Sequence, residues 1–174
     1  AVLVFLIFLA PRWYREHIRE AHLALIGEGF TNSVFMHTYG GAPREPKGAP
    51  GVREDVALAA RAYEAAARLP GRMHDRDRLD LDVLRAAQML LGRPGVAPEL
   101  SELLVARAPL TVWYAERWAA GLEHPEVEEA ALRGASQEDV RSLGLLAMFV
   151  GPMELVLRAW PMLDTEGGDD PLVE

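Results

Sequence analysis

Cysteine is absent from the 174 residues. That excludes disulfides, cysteine-ligated zinc, thiolate nucleophiles and any dithiol redox cycle. Basic residues are in deficit, 18 against 26 acidic, for a formal net charge of -8. A negative surface repels phosphate backbones and anionic headgroups, so neither nucleic acid nor a membrane is expected as partner. Lysine is nearly missing, with a single residue, Lys47, a bias attributable to genome composition before function. The apolar run Val2 to Leu9 falls well short of the roughly 20 residues that span a bilayer. No basic stretch precedes it and Pro11-Arg12-Trp13 is no small-residue cleavage site, so a signal peptide is not expected. Repeats and low-complexity segments are lacking as well.

What is present is ordinary globular composition, 50% hydrophobic and 25% charged, at a length suited to one domain. Val2 to Leu9 is read as a strand buried on both faces, because β-branched and aromatic residues crowd a run of strand length. Pro11 suits the first turn of a helix, and Trp13 to Glu28 places Ile18, Ala21, Leu23, Leu25 and Ile26 on a broad apolar face ended by Gly27 and Gly29. Phe30 to Tyr39 alternates as a strand does. Strand, helix, strand within 39 residues reads as a βαβ unit with parallel strands. Gly40 to Gly51 reads as a loop. Helical spacing follows over 52–69, 79–91, 98–108, 110–121, 125–133 and 136–149, with Pro109, Gly121, Pro125 and Gly134 as punctuation. Ser136 and Asp139 form a capping-box-like start. Met153 to Trp160 fits a helix or a short strand equally by periodicity, and Asp164 to Glu174 is a polar tail.

Few residues carry chemistry. His74-Asp75 is similar to the paired ligands of HD-type metal phosphohydrolases, but no distal ligand is placed, and a solvated helix entry is the better reading. Glu16, His17, Glu20 and His22 crowd the first helix. The two histidines lie about 140° apart at helical spacing and do not chelate together. Ala130, Gly134, Ser136 and Val140 have helix-turn-helix spacing, but Gln137-Glu138-Asp139 would press carboxylates against phosphates. No metal site is expected. Ala10 stands where a helix normally begins with Ser, Thr, Asp or Asn, a deficit of about 1 kcal/mol, and such local failures gather at functional sites.

In order along residues 2–160, the chain resembles the DsbA-like branch of the thioredoxin-fold proteins. VFLIFLAPRWYREH followed by SVFMHTYGG is similar to the family's strand, redox-motif helix and second strand. AARAYEAAARLPGRMHD and LDLDVLRAAQMLLG resemble its helical insertion. EDVRSLGLLAMFVGPMELVL is similar to the helix, cis-proline turn and strand near its end. The departures are clear: Ala10 and Trp13 fall where the redox cysteines belong, Gly151 replaces the usual residue before the proline, and segment 95–135 is long. A-P-R-W-Y also resembles the Ser-Pro-x-x-Tyr of the glutathione-dependent hydroxychromene-carboxylate isomerase and kappa-class transferase group, with Tyr14 kept and the serine lost.

The resemblance implies an α/β fold: a thioredoxin-like βαβ core from 1–50 and 136–160, a helical lobe inserted over 51–135, and a tail over 161–174. It implies a cis bond at Pro152 and a degenerate groove formed by Ala10, Pro11, Arg12, Trp13, Tyr14, His37, Gly151 and Pro152. The expected function is non-redox binding of a peptide, a protein or a small anionic ligand. The alternatives are a glutathione-using isomerase or transferase, and a structural interaction subunit. No cofactor is expected, apart from glutathione under the enzymatic alternative. The expected location is the cytoplasm, and the oligomeric state stays open.

Overall fold

The structure is a computed structural model, and it describes residues 9–25, 50–71, 73–93, 95–121 and 126–163. Eight helices occur among them: α1 (Ala10–Leu25), α2 (Pro50–Ala67), α3 (Asp75–Gly92), α4 (Glu102–Arg107), α5 (Pro109–Ala119), α6 (Glu129–Gly134), α7 (Gln137–Val150) and α8 (Met153–Leu163). Helices α3 and α7 sit at the centre. The first packs on α2, α4, α5 and α7; the second on α3, α5 and α8. The sequence of α7 accounts for its place: from Val140 to Val150 only Arg141 is charged, and nearly every side chain is buried, as expected of a helix surrounded by others. Leu79, Leu84 and Leu90 of α3 meet Leu143, Leu146 and Phe149 of α7 in one apolar core.

Helix α1 lies along α2 in the most extensive helix pair of the structure. Small residues line the join, with Ala10 and Ala21 of α1 and Ala59 and Ala60 of α2 all buried. Tyr14 reaches the residues just beyond the C-terminus of α2, and His22 meets Tyr63 within it, so the two helices run antiparallel. The helix ends follow local rules. Ser101 caps α4 through the Leu104 N–H at 3.1 Å, and Ser136 caps α7 through the Asp139 N–H at 3.1 Å. Gly121, with φ +85, takes the left-handed position just past α5 that glycine tolerates without strain.

The α/β expectation fails: the described residues are helical and contain no strand. The thioredoxin-like core and the DsbA-like resemblance are withdrawn with it, and no helical lobe is set apart from a βαβ core. The decisive stretch is the one expected to turn at a cis-Pro152 and run on as a strand from Met153 to Leu157. It is the opening of α8, and no cis peptide bond occurs among the described residues. The physical reason is the burial period. Leu155, Val156 and Ala159 are buried while Glu154, Leu157 and Arg158 are exposed, whereas a strand would set Leu155 and Leu157 on the same face. Pro152 stands just ahead of α8, where a missing N–H leaves nothing unpaired, and its carbonyl accepts from the Leu155 N–H at 3.2 Å. The paired strands expected at 2–9 and 31–39 lie, apart from Leu9, outside the described residues, as does the polar tail from Asp164 onward. Pro161 to Leu163, placed in that tail, belong to α8.

Gly151, the residue ahead of the expected cis-proline, is extended (φ -98, ψ 179), a conformation open to any residue, and its requirement is for space. A Cβ there would lie 2.7 Å from the Tyr114 hydroxyl, 2.8 Å from Ala147 Cβ and 2.9 Å from Ala147 Cα. Gly151→Ala is therefore expected to destabilise by about 1–3 kcal/mol, the usual range for overpacking. Urea unfolding measures this. Adding Tyr114→Phe should recover part of the loss, because that hydroxyl is buried without a partner. A neutral Gly151→Ala would show that the α7–α8 junction is looser than its geometry.

Candidate functional site

One group of polar residues entering the helical interior draws on four helices. Its centre is Asp80, buried on α3. Arg141 Nη2 of α7 lies 2.5 Å from Asp80 Oδ2, and the Tyr63 hydroxyl of α2 donates to the same oxygen at 3.3 Å. Asp80 Oδ1 is buried with no partner. One turn earlier on α3, Asp77 accepts from the Tyr14 hydroxyl of α1, and that hydroxyl accepts from the His74 backbone N–H at 3.2 Å. The rings of Tyr14 and His74 meet edge-on at 5.6 Å, and those of His22 and Tyr63 at 6.3 Å. Asp77 and Asp80 share a face of α3 by their spacing of three, which is how one helix holds both halves of the cluster.

Burial and nearby charge keep the three phenols and the Arg141 guanidinium in their ordinary protonation states. Burial pushes the Tyr63 phenol above its usual value of 10.0, and the negative charges of Asp80 and Asp77 push it further. Burial and then the hydrogen bond to Asp77 raise Tyr14, and burial alone raises Tyr114. Burial alone would lower Arg141, but Asp80 overrides it and the guanidinium stays charged. The phenols are thus held as donors. Because their values are raised on folding, their contribution to stability is full below the unfolded value of 10.0 and is lost as pH climbs past it. The chain has four tyrosines and a single lysine, so tyrosines dominate titration in that range. Unfolding free energy from urea titrations is expected to fall as pH rises beyond 10. Tyr63→Phe should make that fall shallower, by about 1.4 kcal/mol per pH unit. An unchanged slope would show that Tyr63 is not protected from ionisation.

A second buried carboxylate was not singled out as a site. Asp139 of α7 accepts from the Leu110 N–H at 2.8 Å and the Thr111 N–H at 3.0 Å, and the Thr111 hydroxyl lies 2.8 Å from its Oδ1. Residue Ala108, at the N-cap of α5, has no side chain able to accept. Asp139 therefore caps α5 from a different helix.

The residues expected to form the groove are placed as follows. Ala10 is buried in the first turn of α1, while Pro11, Arg12 and Trp13 are exposed on its outer side. Tyr14 turns inward to Asp77. Gly151 lies against Tyr114 of α5, and Pro152 follows it at the α7–α8 junction. His37 lies outside the described residues. The histidine-rich stretch of α1 separates as its spacing implies: His17 pairs with Glu20 at 3.0 Å, whereas His22 faces Tyr63. His74 is exposed and Asp75 lies 3.9 Å from Arg107. Among the described residues, no three His, Asp or Glu side chains gather where a metal ion would be held. Nor is any described helix long and apolar enough to cross a membrane. The helix-turn-helix spacing at 130–140 falls on α6, which has only six residues, and on α7.

The outer face of α1 is the remaining concentration of chemistry. Arg12, Arg15 and Arg19 are exposed and fall within about 60° of each other around the helix at its period of 3.6. None of the three has an ion-pair partner among the described residues. Glu16 and Glu20 lie on the other flank, followed by Trp13, which is 46% exposed.

No family model, curated protein or solved structure matches the chain.

Proposed function

We propose that the chain is a non-catalytic helical binding module that takes an anionic partner on the outer face of α1. The observation that carries this reading is the row of exposed Arg12, Arg15 and Arg19, with no ion-pair partner among the described residues, in a protein whose net charge is -8. Positive charge collected on one face of an acidic protein gives a partner both direction and site. The interior supports the same reading, because Asp77, Asp80 and Asp139 and the phenols of Tyr14 and Tyr63 are engaged in joining helices. The Tyr14 hydroxyl, which the glutathione-using alternative would place at a reacting centre, is committed to Asp77 and His74.

The test uses poly-L-glutamate as a soluble probe in titration calorimetry. Binding is expected at low salt and should weaken as salt screens the arginines. The triple change Arg12→Gln, Arg15→Gln and Arg19→Gln should reduce it at least tenfold while leaving the melting temperature unchanged, since all three side chains are exposed. Binding that survives the triple change, or no binding at any salt concentration, would overturn the proposal.

A further inference from the structure

We infer that α1 is a lid: it opens as a unit from the other helices and, in opening, admits water to the buried polar group of Tyr63, Asp77 and Asp80. Among the described helices its extensive contact is with α2 alone, and α2 in turn packs on α3, so α1 is an outer layer. The join is long but shallow. Alanines bring the two helices close together, yet Ala10 and Ala21 are the only buried ones among the described side chains of α1. Tyr14, Ile18 and Ala24 pack against the core in part. Stabilisation by burial follows the apolar area removed from water, and an alanine contributes little more than a methyl group. Helices α3 and α7 instead bury large side chains such as Leu84, Leu90, Leu146 and Phe149. An element with little buried apolar surface opens at a lower free energy than the core.

Helix α1 touches the polar group at two points, about two turns apart. The Tyr14 hydroxyl donates to Asp77 and accepts from the His74 N–H at 3.2 Å, and the His22 ring lies edge-on to that of Tyr63 at 6.3 Å. Tyr14 is the latch, because a hydrogen bond to a carboxylate is of the strong, charge-assisted kind. The bonds that join Tyr63, Asp80 and Arg141 run between α2, α3 and α7 and not through α1, so they outlast its departure. Opening takes from Asp77 its Tyr14 donor and from Tyr63 its His22 cover. Tyr63 has no exposed surface in the closed form. Water that reaches it is one hydrogen bond from Asp80, whose Oδ1 is buried without a partner. Hydration of that oxygen relieves the cost of an unpaired buried acceptor and offsets part of the burial lost.

The experiment is native-state hydrogen exchange of the full chain at low urea concentrations, read helix by helix. The α1 amides are expected to exchange through an opening about a hundredfold more populated than the one that releases α3 and α7. That opening should depend more weakly on urea, because it exposes less surface. Leu146→Val separates the two events. It alters a core that the closed and open forms share, so exchange in α3 and α7 should accelerate about fivefold while exchange in α1 stays as it was. Tyr14→Phe should accelerate α1 by about tenfold or more, the worth of one hydrogen bond to a charged group. Access to the polar group is read by tetranitromethane modification, located by mass spectrometry. Leu146→Val should raise the rate at Tyr114, which is reached by global unfolding, and leave the rate at Tyr63 unchanged. Exchange of α1 with the rate and urea dependence of α3 and α7 would overturn the inference. So would acceleration of α1 in Leu146→Val, no acceleration of α1 in Tyr14→Phe, or a Tyr63 modification rate that follows that of Tyr114.

Discussion

Arg141→Met is expected to destabilise the protein by about 3–5 kcal/mol, the usual cost of removing one partner from a buried ion pair. Asp80, 2% exposed, would be left with only the 3.3 Å bond from Tyr63, and its Oδ1 has no partner even in the intact protein. Asp80→Asn is expected to be severe for the complementary reason, since it leaves the guanidinium of Arg141 buried beside a neutral amide. The double change should be milder than either single one. With both charges gone the desolvation cost disappears, and replacing a buried pair outright is often near neutral. Domains of this size hold roughly 5–15 kcal/mol of stability, so the single variants should populate unfolded forms well below the melting temperature of the parent. Urea unfolding of the four proteins closes the cycle. Single changes costing under about 1 kcal/mol would indicate a pair already solvated like a surface one.

The helices between residues 50 and 150 were legible because their apolar residues recur at the helical period and their punctuation is orthodox. Pro109 opens α5, Gly121 follows its end and Ser136 caps α7, all at the positions where turn chemistry placed them. The boundaries were less legible. The helix expected at 79–91 begins at Asp75, and Asp75 and Asp77 form its acidic first turn. Topology failed for a different reason. A helix, a glycine-proline pair and an octapeptide with six apolar residues satisfy both a thioredoxin-like ending and a simple helix–helix junction. What separates them is which of Leu155, Val156 and Leu157 is buried, and that is set by α7, not by local preference.

The interior cluster could not be read as a cluster, because its members lie up to 127 residues apart, from Tyr14 to Arg141. One signal was nonetheless present. Asp80 falls in register with Leu84, Ala87 and Leu91, so a carboxylate sits within the apolar stripe of its helix, and a charge there demands a partner. Arg141 is likewise the single basic residue of α7. The two anomalies have opposite signs, and each is explained by the other. The outer face of α1 was partly legible: Arg12 and Trp13 were singled out, but as the lip of a groove. The row formed with Arg15 and Arg19 was overlooked because whole-chain charge stood in for local charge.

Asp139→Ala is expected to cost about 3–4 kcal/mol, given that hydrogen bonds to charged groups contribute about 1.5–3 kcal/mol each. The substitution strips two consecutive N–H groups of α5, those of Leu110 and Thr111, of their acceptor at a buried position. It also removes a negative charge from the positive end of that helix, a favourable placement by about 0.3–1 kcal/mol or more. Nothing local replaces it: Ala108 at the N-cap cannot accept, and Pro109 brings no N–H of its own to compensate by rearrangement. Asp139→Asn keeps one acceptor oxygen and should cost clearly less, while presenting an amide nitrogen to a backbone or hydroxyl donor. The effect should also be local. Hydrogen exchange at Leu110 and Thr111 is expected to accelerate in Asp139→Ala more than exchange in α2, whereas Arg141→Met should loosen the α2–α3–α7 contacts first. Uniform acceleration across all helices in both variants would mean that the two carboxylates act only through global stability. A difference between the two patterns would assign Asp80 to holding the helices against one another and Asp139 to starting α5 where it starts.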